Sequence, residues 1–363
     1  RAFRWANGVM QDLGTLGGNQ SEAYGVSADG SVVIGWAQNA AGQWHAFRWV
    51  LTDPATGAGT MYNLGTLGSS GSQAYGVSAD GSVVIGWAQN AAGQWHAFRW
   101  VLTDPATGAG TMYNLGTLPG GGWSIAFGVS ADGSVVVGSA DNADRQMRVF
   151  RWANGVMQDL GTLGGYYYSQ AWGVSADGSV VVGTSTYADG QQRAFRWVLT
   201  DPATGAGTMY DLGTLGGSDS YAYGVSADGS VVVGEAYNAA GQWRAFRWTQ
   251  QTGMQDLNQV YASLLTNGSY LYIAYAISPD GRYIVGWGSN AATLRSEAFL
   301  LDTRCVSHNG DVDNNGCVDD ADLLAVLFAF GNRGILGRVD VNCDEVVDDA
   351  DLLIVLFNFG SGC

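Results

Sequence analysis

The stretch G-V-S-A-D-G-S-V-V-I-G at residues 25–35 decides how the chain is read, because it returns almost unchanged at Gly76, Gly128, Gly173 and Gly224. A diverged sixth copy, A-I-S-P-D-G-R-Y-I-V-G, begins at Ala276, so the copies are spaced 45–52 residues apart. Within each copy, Asp-Gly flanked by short apolar runs signals a hairpin, since Gly supplies the positive φ that such turns need. Asp29–Gly30, Asp80–Gly81, Asp132–Gly133, Asp177–Gly178, Asp228–Gly229 and Asp280–Gly281 are therefore expected to be turns. Turn chemistry accounts for these six aspartates without invoking a ring of ligands. Val32-Val33-Ile34 is apolar at consecutive positions, as a strand covered on both faces must be, and Gly35 is expected to end it.

Two companion phrases keep the same period. A/V-F-R-W recurs at 46–49, 97–100, 149–152, 194–197 and 245–248, and D/N-L-G-T-L at 12–16, 63–67, 114–118, 159–163 and 211–215. Each repeat then reads as four short strands: Y-G-V-S, S-V-V-V-G, A-F-R-W and D-L-G-T-L. The segments 5–13 and 152–160, W-A-N-G-V-M-Q-D-L, read as tight hairpins. In A-F-R-W one face packs, while Arg48 and its equivalents reach toward polar partners. Four-stranded units of this length, with no helical period between them, fit the blades of a β-propeller better than the coils of a solenoid. The chain yields 25 strands, giving six blades with one strand left over; seven would need an upstream or donated strand. An unpaired edge would itself be a device for assembly. The three phrases together resemble the HAF-type extracellular repeats of bacterial surface and secreted proteins. That resemblance covers about residues 1–302 and implies a propeller and an extracellular location, but no particular activity.

With 47% apolar residues, 12% aromatics and 13% charged residues, the chain can bury a core. It contains no Lys, and its net charge of −16 with no basic stripe speaks against binding nucleic acid or an anionic membrane. No apolar run reaches the roughly 18 residues that a membrane span needs. The chain opens at Arg1 in mid-repeat, so a signal peptide is expected to have been removed or to lie outside this sequence.

From Cys305 onward there are 11 acidic residues against 2 Arg, whereas the much longer first part carries 21 against 14. Residues 303–363 are therefore read as a second domain after the propeller of 1–302. All four cysteines, Cys305, Cys317, Cys343 and Cys363, lie in this tail. They suit two disulfides in an oxidising compartment, with three connectivities open.

Counting from Asp311, oxygen side chains fall at loop positions 1, 3, 5, 9 and 12 (Asp311, Asp313, Asn315, Asp319, Asp322), with Gly316 at 6 and the Cys317 carbonyl at 7. A 12-residue loop places ligands for Ca²⁺ in this order, and hard oxygen donors favour it over zinc. The second loop starts 29 residues later: Asp340, Asn342, Asp344, the Val346 carbonyl, Asp348 and Asp351. Glu345 stands where the turn favours Gly, so this second site is expected to be weaker. Each loop leads into the same apolar run, D-L-L-A-V-L-F-A-F-G or D-L-L-I-V-L-F-N-F-G, which exceeds one helix face and needs covering. The doubled loop-helix pattern resembles a type I dockerin, a small α-helical, EF-hand-like domain. The resemblance implies Ca²⁺ at two sites and a cohesin partner.

The segments joining one repeat to the next vary most: 19–22, 69–73, 120–124, 166–170 and 218–221. Read as loops on one propeller face, they offer Trp123, Tyr166, Tyr167, Tyr168 and Tyr221 for stacking on sugar rings. His45 and His96 give way to Arg244 in a later repeat and are read as cross-strand packing. A glycosidase would draw its two carboxylates from Glu22, Asp141, Asp144, Asp219 and Glu235. Near-duplication of the first two repeats suits multivalent binding better than a single catalytic constellation. The expectation is a non-enzymatic, secreted or cell-surface scaffold or binding protein. Its calcium-held tail would dock to a cohesin-like protein or to copies of itself. The alternative is a polysaccharide-binding or polysaccharide-degrading component attached through cohesin–dockerin pairing.

Overall fold

The computed structural model describes residues 1–265, 267–303, 309–313, 315–333, 337–342, 344 and 346–363; the side chains of Tyr166, Tyr167 and Ser263 lie outside the description. The chain divides into two compact units, Arg1–Asp211 and Leu212–Cys363.

In the first unit, β1 (Phe3–Ala6) and β2 (Val9–Asp12) form a two-stranded sheet. Two four-stranded antiparallel sheets follow: β3 (Gly17–Val26), β4 (Val32–Asn39), β5 (Trp44–Asp53) and β6 (Ala58–Asn63), then β7 (Gly68–Val77), β8 (Val83–Asn90), β9 (Trp95–Asp104) and β10 (Ala109–Gly116). The next two repeats supply β11 (Ser124–Val129), β12 (Val135–Asp141), β13 (Met147–Ala153) and β14 (Val156–Asp159), then β15 (Gly164–Val174), β16 (Val180–Tyr187), β17 (Gln192–Asp201) and β18 (Ala206–Asp211). A parallel bridge from Met147 to Tyr168 joins them into one eight-stranded sheet.

In the second unit, β19 (Gly216–Val225), β20 (Val231–Asn238), β21 (Trp243–Thr249) and β22 (Gly253–Asp256) form a four-stranded sheet. A short helix α1 (Leu257–Val260) leads to the three-stranded sheet of β23 (Tyr270–Ile277), β24 (Tyr283–Asn290) and β25 (Arg295–Asp302). Helices α2 (Asp320–Ala329) and α3 (Asp349–Phe357) complete the described elements. None of the helices among the described residues is long and apolar enough to cross a membrane.

Successive antiparallel four-stranded meanders are the blades of a β-propeller. The expectation of six or seven blades is corrected: four sheets have four or more strands. The reason is that the first strand pair and the last three strands remain partial sheets, while the third and fourth repeats share one.

Several sequence readings need a change of phase. The run Val32-Val33-Ile34 is buried as expected, but β4 continues through Gly35. Gly35 is required in mid-strand because any side chain there would collide with the Glu22 carbonyl on β3, and Gly86, Gly138 and Gly183 meet the same obstacle. The phrase D/N-L-G-T-L is not the fourth strand. In four of its copies the leading Asp or Asn accepts from the Gly amide two residues on (Gly14, Gly65, Gly116 and Gly161, each at 2.8 Å), which turns the chain toward the next sheet. Nor are the variable segments loops: 19–22, 69–73, 166–170 and 218–221 lie within β3, β7, β15 and β19, and only 120–124 stays largely outside a strand.

Within the first unit three sets of polar contacts tie each repeat to the next. The guanidinium Nε of Arg4, Arg48, Arg99 and Arg151 donates to the carbonyl of Gly30, Gly81, Gly133 and Gly178, the Gly of the following Asp-Gly turn, at 2.8–3.1 Å. Turn also binds turn: Ala28 N–H donates to Ala79, Ala79 to Ala131 and Ala131 to Ala176. Third, a serine in each variable segment is a buried bridge. Ser72 Oγ accepts from Ala46 N–H at 2.9 Å and donates to the Gly65 carbonyl at 2.5 Å, and Ser21, Ser124 and Ser169 repeat the arrangement. Beside these ties runs an aromatic ladder, Tyr24–Tyr75–Phe127–Trp172, with ring centroids 4.7–5.5 Å apart. The six Asp-Gly aspartates act as turn formers; Asp29, for example, accepts from Ser27 and from the Ser31 amide and hydroxyl.

Candidate metal centre and ligand-facing residues

The tail has a core of valines. Val312, Val318, Val326, Val341, Val347 and Val355 are all buried together, three from each loop-helix half. Each half is also stitched across the other. The Val347 amide donates to Asn332 O and its carbonyl accepts from Gly331 N–H, while Val318 pairs in the same way with Ser361 and Gly360. Both helices begin with a full capping box, Asp319 with Asp322 on α2 and Asp348 with Asp351 on α3.

That packing draws the carboxylates together. Among the described residues, two groups of three place one oxygen from each residue within 4.8 Å of the others: Asp311, Asp313 and Asp322, and Asp340, Asp344 and Asp351. The position-12 aspartates, Asp322 and Asp351, are 0% exposed. Asp322 accepts from the amides of Val312 (2.6 Å), Asp313 (3.1 Å) and Asp319 (2.9 Å). Asp351 accepts from Val341 (2.6 Å), Asn342 (3.0 Å) and Asp348 (3.0 Å), the same scheme 29 residues on. Asp311 is held by the Asn315 and Gly316 amides, and Asp340 by that of Asp344. Asn315 and Asn342 lean on Asp313 and Asp344 through their side-chain amides. Asp319 and Asp348 are committed to their helix caps, accepting from Ala321 and Ala350. The amides of Cys317 and Val346 are anchored to Asn315 and Asp344. Spacing therefore located each cluster, but it missed Arg338, whose guanidinium braces the first loop by donating to the carbonyls of Val312 and Asp311.

The donor set is all oxygen, convergent and duplicated, which fits a hard divalent cation. Three carboxylates at this spacing repel one another, and a cation between them removes that repulsion.

Cys317 is disulfide-bonded to Cys363, which ties the first loop to the segment after α3 and agrees with one of the three connectivities. Cys305, Cys343 and Glu345 lie outside the described residues. The helices leave a duplicated apolar surface: Phe328 is 86% and Phe357 83% exposed, with Leu324, Leu327 and their equivalents Leu353 and Leu356 beside them.

The aromatic candidates are divided between the two units. Trp123 lies just before β11, its amide donating to Asp141 at 2.7 Å. Tyr168 lies in β15 with its hydroxyl donating to Gln170, and burial raises its pKa. No ring contact joins Trp123 to Tyr168 among the described residues, and the side chains of Tyr166 and Tyr167 lie outside them. In the second unit, Tyr221 stacks on Tyr223 at 6.5 Å and meets Trp243 at 5.6 Å. Of the loop acids, Asp141 pairs with Arg145 at 3.5 Å, Glu22 accepts from Tyr24, and Asp219 accepts from Ser218. Glu235 accepts from the Tyr223 hydroxyl at 2.7 Å, and burial holds its pKa above the ordinary glutamate range. His45 and His96 pack against Asn63 and Asn114, as read from the sequence.

Neither a family model nor a curated protein matches the chain. Among solved structures it is similar to a puromycin-hydrolyzing peptidase from Mycobacterium tuberculosis, at 17% identity and a TM-score of 0.51, over 83% of this chain and 46% of that one. It is also similar to TolB from Acinetobacter baumannii (14%, 0.45, 76% of this chain and 62% of that one). A third likeness is to the β-propeller domain of the Trilobed protease from Pyrococcus furiosus (11%, 0.46, 78% and 81%). At such identities the likeness concerns fold alone.

Proposed function

We propose that this chain is a non-enzymatic, secreted or cell-surface scaffold or binding protein, in which HAF-type propeller repeats carry a dockerin-like module. One observation carries the reading: each half of the tail couples a three-carboxylate cluster to a helix that turns a Phe and two Leu outward. Two Ca²⁺ ions would be held by Asp311, Asp313, Asn315, Asp319 and Asp322 and by Asp340, Asn342, Asp344, Asp348 and Asp351, with the Cys317 and Val346 carbonyls completing the sets. Each ion fixes the loop that aims its helix, so calcium sets the relative position of the two apolar faces. A cohesin-like protein or further copies of this chain would cover them. The Cys317–Cys363 disulfide supports an oxidising, extracellular setting.

The test is light scattering on the full chain in calcium and after chelation, together with limited proteolysis of the tail. A mass that rises above one chain in calcium and falls on chelation identifies further copies as the partner. A single-chain mass in both conditions, with calcium protecting the tail, assigns the face to another protein. A tail digested equally fast with and without calcium overturns the reading.

A further inference from the structure

A cleft of about 450 Å³ opens in the second unit between β21 and β23. This lies within the size range of small-ligand pockets, roughly 300–1,000 Å³. Its walls are aromatic: Trp243 from β21, Tyr270 and Tyr272 from β23, and Trp287 from β24. Glu235 and Arg244 supply the polar edge.

Three departures from the repeat pattern build it. First, Glu235 follows the mid-strand glycine, where the other copies carry Trp36, Trp87, Ser139, Thr184 and Trp287, so it is the only carboxylate among six equivalents. The Tyr223 hydroxyl fixes it at 2.7 Å. Second, the register of β23 against β24 slips between Leu271 and Ile273, which makes Tyr272 the bulged residue, whereas the outer slip of β19 against β20 falls between Gly216 and Ser220. A bulge of this kind bends the strand and re-aims a side chain, here one that lines the cleft. Third, α1 replaces the G-T-L crossing, and Asn258 on it holds Leu271 through both backbone groups, at 2.7 and 2.9 Å.

The rings are braced rather than loose. Trp243 stacks on Tyr237 at 3.8 Å, and Tyr272 and Trp287 lie 6.1 Å apart. The Arg244 guanidinium sits 4.9 Å from the Tyr270 centroid and donates to Gln242 at 2.7 Å. Trp287 and Tyr270 still present 38% and 45% of their surface.

We propose that this cleft binds a neutral saccharide, whose C–H faces lie on the aromatic rings while its hydroxyls donate to Glu235 and accept from Arg244. A cationic ligand meets the positive charge already over Tyr270, and an anionic one meets Glu235; a neutral polyol with an apolar face satisfies both groups and the rings. The site is separate from the calcium clusters of the tail, so it stands or falls independently of them.

The test is an array of neutral oligosaccharides built from glucose, mannose, galactose and xylose, probed with the full chain, followed by titration of the strongest binder. Binding is expected and is expected to persist after calcium chelation. Trp287→Ala and Glu235→Gln each weaken it about tenfold or more, while Trp87→Ala in an earlier repeat leaves it unchanged. Glu235→Gln preserves an acceptor for Tyr223, so a loss in that variant is not a folding defect. An array without signal, or binding that survives both substitutions, overturns the proposal.

Discussion

Ser72→Ala tests how the repeats are held together. Ser72 is 0% exposed, and its hydroxyl serves two backbone groups that belong to different parts of the chain: the buried Ala46 amide in β5 and the half-buried Gly65 carbonyl in the crossing to β7. Removing the hydroxyl leaves a donor and an acceptor unsatisfied. Each orphaned group costs about 1–3 kcal/mol, so the pair should cost about 2–4 kcal/mol after some relaxation. The control is Ser70→Ala, three residues into the same strand, where the hydroxyl is exposed and donates only to Gln89; it should change stability by less than about 0.5 kcal/mol. Urea unfolding followed by tryptophan fluorescence measures the difference. Native-state hydrogen exchange adds a local readout, because the Ala46 amide should exchange roughly 30- to 900-fold faster in Ser72→Ala. Equal midpoints for the two variants, with Ala46 exchange unchanged, would refute the bridging argument.

The turn aspartates make stability fall in acid. Hydrogen bonds from Ser27, then from the Ser31 amide and hydroxyl, lower the Asp29 pKa from 3.8 to about 2, and Asp132 and Asp228 are lowered for the same reason. A depressed folded-state pKa gives stability that is present above the unfolded value and lost as pH falls through the folded one, so the urea midpoint should drop between about pH 4 and pH 2; a flat midpoint across that window contradicts the assignment. Reduction of Cys317–Cys363, which spans 46 residues, removes up to about 4 kcal/mol of loop constraint. Proteolysis of the reduced full chain should therefore begin within 310–363; cleavage that starts in the repeats instead would count against it.

Much of the fold was legible because the repeat carries its own punctuation. Asp-Gly at six positions marked the turns, and Asn7-Gly8 and Asn154-Gly155 marked tight hairpins, with φ of 51° at both asparagines. The phase within the repeat was harder. D-L-G-T-L carries two leucines and keeps the period of the repeat, yet the Asp12 carboxylate accepts from the Gly14 amide and makes a turn there. Composition hid the role of the variable segments, whose polar Ser, Gly and Gln read as loop although they form the outer part of strands. One signal was available: a Ser recurs in every one of them, at 21, 72, 124, 169 and 220, and that constancy marks the bridge. The blade count depended on how incomplete sets of strands pair, which periodicity does not encode. In the tail, loop spacing located the carboxylate clusters, since the members of each cluster lie within one short stretch of chain. The role of Arg338, and the aromatic walls of the cleft around Glu235, arise from contacts between segments distant in sequence; the one local sign of the cleft is a carboxylate at a position where the other repeats carry none.

Isothermal titration of the full chain with Ca²⁺, after exhaustive chelation and dialysis, tests whether the duplicated acidic loops hold calcium. The wild-type chain should bind two ions, the second more weakly. Asp313→Ala should remove one of them and Asp313→Ala with Asp344→Ala both; these are the exposed members of the two clusters, so neither substitution disturbs the valine core. No binding by the wild-type chain, or unchanged binding by the double variant, would mean that these loops are not calcium sites.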